Sequence, residues 1–276
     1  MSRVPRVLVL SIVLGGFLVS VPAQVSKPRP KPNPEVKEKL KTFSKRISDR
    51  KAPQDAEAIT IVDELAELYP NMHVSDQNRF VKDIARALTS TAIKRAPDDG
   101  DLYKTIIVAL GKAEARGSGS LVRAFETKKF KSELTWVPLR ELMLEHIGKT
   151  KDPKRIDFLV DEARNNMHKE LMSAAGGALR HYEDEKLRVR KEVCKVLIQR
   201  FAAVFDNGQQ TTLRTRMDQT LAEQQFEQQI WKARYRAIEA PWTKTLQALT
   251  KQDLEGTEAW TRFWNKDKAK NWDRHD

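Results

Sequence analysis

The sequence predicts an all-α fold: an α-solenoid of stacked antiparallel helix pairs, covered at its C-terminal end by an aromatic helix. Three observations carry that prediction. Apolar residues recur every three to four positions through most of the 276 residues, the period of a helix with one buried face. Alternation with a period of two, which marks a half-buried strand, is almost absent. A paired-helix pattern also returns at intervals in the thirties. Leu110-Gly111-Lys112 and Ile147-Gly148-Lys149 repeat from 111 to 148, a step of 37, and a degenerate copy from Leu179 ends at Asp184, 32 residues after Asp152. Such periods belong to stacked repeats, where each unit leaves an apolar side for its neighbour to cover; a non-repetitive helical bundle is the alternative that gives similar stripes.

The first 23 residues stand apart. Arg3 and Arg6 precede an apolar run from Val7 to Val21, and Val21-Pro22-Ala23 supplies small residues for cleavage after Ala23, as a secretory signal peptide does. The run is shorter than the ~20 residues of a membrane span, and no other stretch is apolar enough to cross a bilayer. The expectation is an exported protein, periplasmic or secreted, with no transmembrane segment after cleavage. Residues 24–34 alternate Pro and basic residues, which favours an extended, solvated linker.

Charge is unevenly placed. The whole chain carries +12, and with the leader's Arg3 and Arg6 removed it carries +10. Residues 24–51 hold ten basic and three acidic residues, so the body from 52 to 276 is only +3. Lys27, Arg29, Lys31, Lys37, Lys41, Lys45 and Arg46 are therefore the candidates for weak contact with an anionic polymer or lipid surface. A flexible spacer is the plainer reading of the same stretch.

Residues 35–240 read as helix pairs in order. Val36, Leu40, Phe43 and Ile47 make one stripe; Ile59, Val62, Leu65, Ala66 and Tyr69 make a second that stops at Pro70. Phe80, Val81, Ile84, Ala85 and Leu88 follow, with Ser75 expected as N-cap. After the turn Pro97 to Gly100 come Leu102, Ile106, Val108 and Leu110, and later Trp136, Leu139, Met143 and Ile147, with Gly148 expected as C-cap. Asp152 is suited to cap the next helix, because its carboxylate can accept from first-turn N–H groups. Pro153 fits the first helical position, where its missing N–H costs nothing. Ile156, Leu159, Val160 and Ala163 then form the apolar stripe. Gly111, Gly148, Asp152 and Pro153 are thus the expected repeat-turn residues.

Further on, Ala174 to Ala178 is a run of small residues that permits close helix approach. Leu187, Val193, Leu197 and Phe201 mark another helix, expected to end at Asn207-Gly208. Cys194 lies among its apolar positions and, as the chain's one cysteine, reads as a buried thiol. A Gln-rich stretch to Ala240 suggests one long helix or two broken near Gln224.

The run from Trp136, and above all Ile147 to Ala163, resembles the bacterial HEAT repeat of the lyase-type, HEAT-like class: an apolar residue, Gly, a basic residue, a short gap, Asp-Pro, then a helix. The resemblance spans about forty residues. It implies an α-solenoid that binds other macromolecules and carries no chemistry. HEAT-like repeats also occur in DNA-repair glycosylases that hold DNA in a basic groove, so an electrostatic binder of polysaccharide, lipid surface or nucleic acid is the alternative. The leader and the +3 body argue against nucleic acid. Deletion of residues 24–51 is expected to abolish binding to anionic polymers and to leave the fold and protein partners unaffected.

Residues 241–276 form the expected cap. Four of the six tryptophans fall here, and Trp260, Phe263 and Trp264 share one helical face. Covering the last repeat is the expected role of these aromatics; a platform for sugar or peptide ligands is the sharper one. The W-x-x-x-W segment is similar to the tail of many exported bacterial HEAT-repeat proteins.

No catalytic, metal or cofactor site is expected. The five His residues form no H-E-x-x-H, no cysteine pair exists for zinc, and neither G-x-S-x-G nor a Gly-rich phosphate loop occurs. Glu141, Glu145 and His146 share a helix surface and read as surface ion-pair chemistry. The expected activity is non-catalytic: an exported scaffold that binds protein partners through its solenoid surface.

Overall fold

The computed structural model describes residues 31–48, 54–97, 100–132, 134–209 and 221–273. Twelve helices are found among them and no strand: α1 (Pro34–Ile47), α2 (Asp55–Leu68), α3 (Val74–Thr89), α4 (Asp101–Lys112), α5 (Glu114–Glu126), the single turn α6 (Lys128–Lys131), α7 (Val137–Lys149), α8 (Ile156–Asn165), α9 (Lys169–Ala178), α10 (Leu187–Gln209), α11 (Leu221–Thr250) and α12 (Thr257–Asp267). The expected leader, its cleavage point and most of the linker lie outside the described residues. No helix among the described residues is long and apolar enough to cross a membrane.

Packing follows chain order. α2 rests on α4, α4 on α7, α7 on α9 and α9 on α11. In addition α1 meets α3, α3 meets α5, α5 meets α7, α8 meets α10 and α10 meets α12. Consecutive helices such as α4–α5, α8–α9 and α10–α11 also pack together. No extensive contact joins the first four helices to the last four among the described residues. The apolar stripes read from the sequence are the faces these contacts bury: Val36, Leu40, Phe43 and Ile47 on α1, and Leu139, Met143 and Ile147 on α7, are all 5% exposed or less.

Local chemistry explains the ends. Asn33 accepts from the Glu35 amide at 2.9 Å ahead of Pro34, and so starts α1. Asp152 accepts from the Lys154 amide at 3.1 Å and Pro153 opens a 3-10 turn that runs into α8. For α3 the cap is His73, whose Nδ1 accepts from the Ser75 amide at 3.2 Å. Expected as the cap, Ser75 lies in the first turn, because an imidazole nitrogen does the work of a hydroxyl there. Asn207-Gly208 does not end α10; both lie in its last turn.

Gly111 and Gly148 do not end their helices either. The left-handed residue comes three positions later in each case, at Glu114 (φ 53°) and Lys151 (φ 50°). The glycines are required by packing. A Cβ on Gly111 would lie 2.2 Å from the His146 ring of α7, one on Gly148 would lie 2.5 Å from the Ala178 carbonyl of α9, and one on Gly176 would lie 2.0 Å from the Trp242 indole of α11. Each step along the α4–α7–α9–α11 row thus has a point where only a hydrogen fits.

The stretch expected as a separate cap from residue 241 is not separated from what precedes it. α11 runs through Pro241 without ending, although proline leaves the carbonyl four residues back without its helical donor. That carbonyl, Ala237, accepts instead from the Ser173 hydroxyl of α9 at 2.7 Å. Thr245, one turn on, donates to the Gly176 carbonyl at 3.0 Å. The Ser173 bond replaces the missing backbone bond, and together with that of Thr245 it ties α9 to α11.

The basic stretch 24–51 is likewise not all tail. Its second half is α1, whose apolar face is core and whose preceding Asn33 amide donates to Asp76 at 2.8 Å. Deleting 24–51 would strip the cover from α2 and α3 and leave their apolar faces in water. The expectation that this deletion spares the fold is therefore corrected.

Candidate functional site

The turn between α7 and α8 is a tightly wired point. Asp152, 5% exposed, accepts from the Ser118 hydroxyl of α5 at 2.6 Å and from Arg155 at 3.2 Å. The Tyr182 hydroxyl donates to the Asp152 carbonyl at 3.2 Å. Burial opposes ionisation of this carboxyl, but the Ser118 hydroxyl, the Lys154 amide and Arg155 together hold it below its ordinary range. The geometry joins α5, α8 and the turn before α10, and it leaves Asp152 little capacity for a ligand.

Two further polar knots serve packing in the same way. Glu145 on α7 accepts from Arg180 at 2.7 Å and His181 at 3.0 Å, with Lys149 at 3.5 Å. Burial pushes its carboxyl up, but His181, Arg180 and Lys149 outweigh that and bring it down to about 2. Next to it, His146 turns inward against Gly111, and burial followed by Lys149 lowers its pKa to about 4. The expected shared surface of Glu145 and His146 is thus divided: the acid forms ion pairs, and the imidazole is a neutral core group.

The second knot ties the start of the chain. Arg95, 7% exposed, grips both oxygens of Asp55 at 2.6 and 2.8 Å and donates to the Ile47 carbonyl at 3.2 Å. Beside it Lys129 lies 4.2 Å over the Tyr103 ring and donates to the carbonyls of Ala87 and Ile93 at 3.0 and 2.6 Å. Burial, then the Arg95 charge, lowers its amine to about 7. Cys194 is fully buried and its thiol is pushed up by burial to about 12.

The expected cap aromatics are mostly interior. Trp260 is fully buried, and Phe263 meets it edge-on at 6.0 Å. Trp264 is half-buried and stands 6.3 Å from Trp272. Arg190 of α10, 3% exposed, fastens this end by donating to the Leu249 carbonyl at 2.6 Å and to the Asp273 carboxylate. Trp260 and Phe263 are covered, so neither offers its face to a sugar ring.

The basic candidates divide. Lys27 and Arg29 lie outside the described residues. Lys31 is exposed ahead of α1. Lys37, Lys41 and Lys45 are exposed at successive turns of α1, on one face. Arg46 is half-buried and already engaged, 2.9 Å from both Gln54 and Glu57.

Two surface clefts have distinct chemistry. One of about 440 Å³ runs between α8 and α10, floored by Ile156, Val160, Val189, Val193 and Val196. The other, about 370 Å³, is polar and lies at the α8–α9 junction, lined by Arg140, Asp161, Asn165, Asn166 and His168. No group of three or more metal-ligating side chains occurs among the described residues. Neither cleft was expected from the sequence, because each joins residues of separate helices whose rotational setting only the packing fixes.

Comparison with protein-family models, with curated proteins and with solved structures finds no match for this chain.

Proposed function

We propose that the chain is a non-catalytic scaffold: a HEAT-like α-solenoid, exported through its N-terminal leader, that binds protein partners on the surface of its helix rows. The observation that carries this reading is the chain-order packing of α2, α4, α7, α9 and α11, with a glycine at the close approach of α4 to α7, of α7 to α9 and of α9 to α11. Rows built this way expose long faces with many loops, and binding is what such faces serve. Glu145, His146 and Lys129, whose proton affinities are displaced, are spent on internal contacts, so the reading assigns none of them to chemistry. The resemblance in Ile147 to Ala163 supports the same class. Capture from an envelope fraction by the immobilised mature chain, residues 24–276, tests it. A protein retained after a wash at physiological salt, and displaced by free mature chain, is the expected outcome; no specific protein retained counts against it.

One observation favours a second reading. Lys37, Lys41 and Lys45 make an exposed basic line on α1, suited to an anionic polymer or lipid headgroups. Replacing the three by Glu leaves the buried face of α1 intact. Loss of salt-sensitive binding to anionic vesicles or polysaccharide in that variant supports the electrostatic reading; unchanged binding removes it.

A further inference from the structure

Two arginines from two helices lie against one indole, and a third from another helix is near enough for its charge to bear on one of them. Arg164 stands in the last turn of α8, Arg200 on α10 and Arg234 on α11. The guanidinium of Arg200 lies 5.7 Å from the centre of the Trp231 ring and that of Arg234 lies 4.6 Å from it. Arg234 is 9% exposed and uses Nη2 on the Met167 carbonyl at 3.2 Å. Arg200 is half-buried, and its Nε is enclosed with no hydrogen-bond partner.

What is missing is a counter-charge. Of the other buried arginines, Arg95 and Arg190 each hold a carboxylate, Asp55 and Asp273, and Arg140 lies 4.2 Å over the Phe125 ring. Among the described residues no carboxylate lies within ion-pair distance of Arg164, Arg200 or Arg234. Burial, then the Arg234 charge, then that of Arg164, all weaken the hold of Arg200 on its proton. Like charges gathered in a partly desolvated place are costly unless an anion joins them. A guanidinium presents a flat fork of donors that matches a carboxylate.

The surroundings narrow the ligand. Met167, whose carbonyl Arg234 holds, is 73% exposed; Ile230 and Phe226, one and two turns before Arg234 on α11, are 37% and 65% exposed. Apolar side chains therefore flank the positive charge. A nucleic acid fits less well: Trp231 already carries two guanidiniums, and three cations are few for a polyphosphate strand, which gains affinity from many phosphate contacts and base stacking.

We propose that Arg164, Arg200 and Arg234 form an oxyanion subsite for the side-chain carboxylate of an acidic segment of a protein partner, flanked by apolar residues that settle on Met167, Ile230 and Phe226. The proposal rests on the partner-binding reading above and supplies the chemistry of the partner. The test is fluorescence anisotropy with the mature chain and a labelled peptide of about a dozen alternating Glu and Leu residues. A Lys/Leu peptide and an oligothymidine of similar length serve as comparison probes. Binding of the Glu/Leu peptide is expected to weaken about tenfold in Arg164→Gln and in Arg200→Gln, as for loss of one charged hydrogen-bonding partner, with partial rescue by Arg200→Lys. Arg164 is exposed, so its variant keeps the test open should Arg200→Gln unfold. No binding of the Glu/Leu peptide, or binding unchanged in Arg164→Gln, overturns the subsite. Tighter binding of oligothymidine that falls in the same variants also overturns it and gives the arginines to nucleic acid. Capture of a protein from the envelope fraction that is indifferent to Arg164→Gln sinks the subsite alone; failure of all capture while the peptide still binds sinks the scaffold reading alone.

Discussion

Replacing Gly148 by alanine sets two well-known effects against each other. In an exposed helix the change stabilises by up to about 1 kcal/mol, because alanine loses less backbone entropy than glycine. Here the new methyl would lie 2.5 Å from the Ala178 carbonyl oxygen and 3.0 Å from the Ala178 Cβ. Neither can step aside without moving the α9 backbone. Ala178 is fully buried, and its helix is held on the far side by Ser173 and Thr245 contacts to α11. Overpacking of this kind typically costs about 1–3 kcal/mol, more where backbone must shift, so a net loss of about 1–3 kcal/mol is expected. For a chain of this size that is a fall of roughly 2–12 °C in Tm. Gly119 is the internal control: it lies within α5, and a Cβ there meets only the movable end of Arg155 at 3.2 Å. Gly119→Ala should therefore hold or raise Tm. Thermal melts followed by circular dichroism on both variants decide the matter. Equal stabilisation by both would mean that α7 and α9 do not meet at Gly148, and the close-packed row would be refuted.

Other outcomes follow from the same contacts. Ser173→Ala should cost about 1–2 kcal/mol by leaving the Ala237 carbonyl without a donor; adding Pro241→Ala, which restores a backbone N–H, should recover most of it in urea titrations, and simple additivity would refute the link. Lys129→Met should be most favourable at neutral pH and below. The Lys129 amine titrates at about 7 in the fold against 10.5 for the ordinary side chain, so its burial penalty is absent above about pH 10.5, grows as the pH falls and levels off below about 7. That limit is about 5 kcal/mol, offset by the loss of two hydrogen bonds and the Tyr103 contact. A net gain near pH 7 that shrinks toward pH 10 is expected, and a pH-independent difference would contradict it. Glu145 has the opposite sign: with its carboxyl lowered from 4.5 to about 2, its contribution is full above about pH 4.5 and is lost as the pH falls toward 2. Glu145→Gln should remove up to about 3 kcal/mol of stability at pH 7 and flatten the acid limb between those values.

The helices were legible because a single apolar stripe announces a half-buried helix whatever it packs against. Val36 to Ile47, Trp136 to Ile147 and Ile156 to Ala163 are all found on the elements expected of them. Asp152-Pro153 was legible as well, since capping chemistry is local. Gly148 was misread for an instructive reason. A glycine near a helix end is more often there for its backbone freedom, and only the position of α9 shows that it is there for its missing methyl. The boundary expected between 240 and 241 has a similar explanation: Pro241 sits inside α11, and the carbonyl it leaves without a donor is served by Ser173, 68 positions earlier in the chain. The basic stretch 24–51 was read two ways, by charge as a tail and by the stripe Val36, Leu40, Phe43 and Ile47 as a helix, and the packing decides for the helix over 34–47. The arginine cluster was invisible for the strongest reason. Arg164, Arg200 and Arg234 are unremarkable surface residues in sequence, and only the packing of three helices brings their charges together, two of them against one indole.

The arrangement of helices in chain order is what every other statement needs, and a distance between its two ends measures it. Spin labels on Lys37→Cys in α1 and Lys266→Cys in α12, both exposed positions, can be placed while Cys194 stays buried and unlabelled. Pulsed electron–electron resonance should give a separation beyond about 45 Å, the diameter expected of a compact chain of this length. A single short distance, under about 30 Å, would mean that the ends fold back on each other and that the row does not exist.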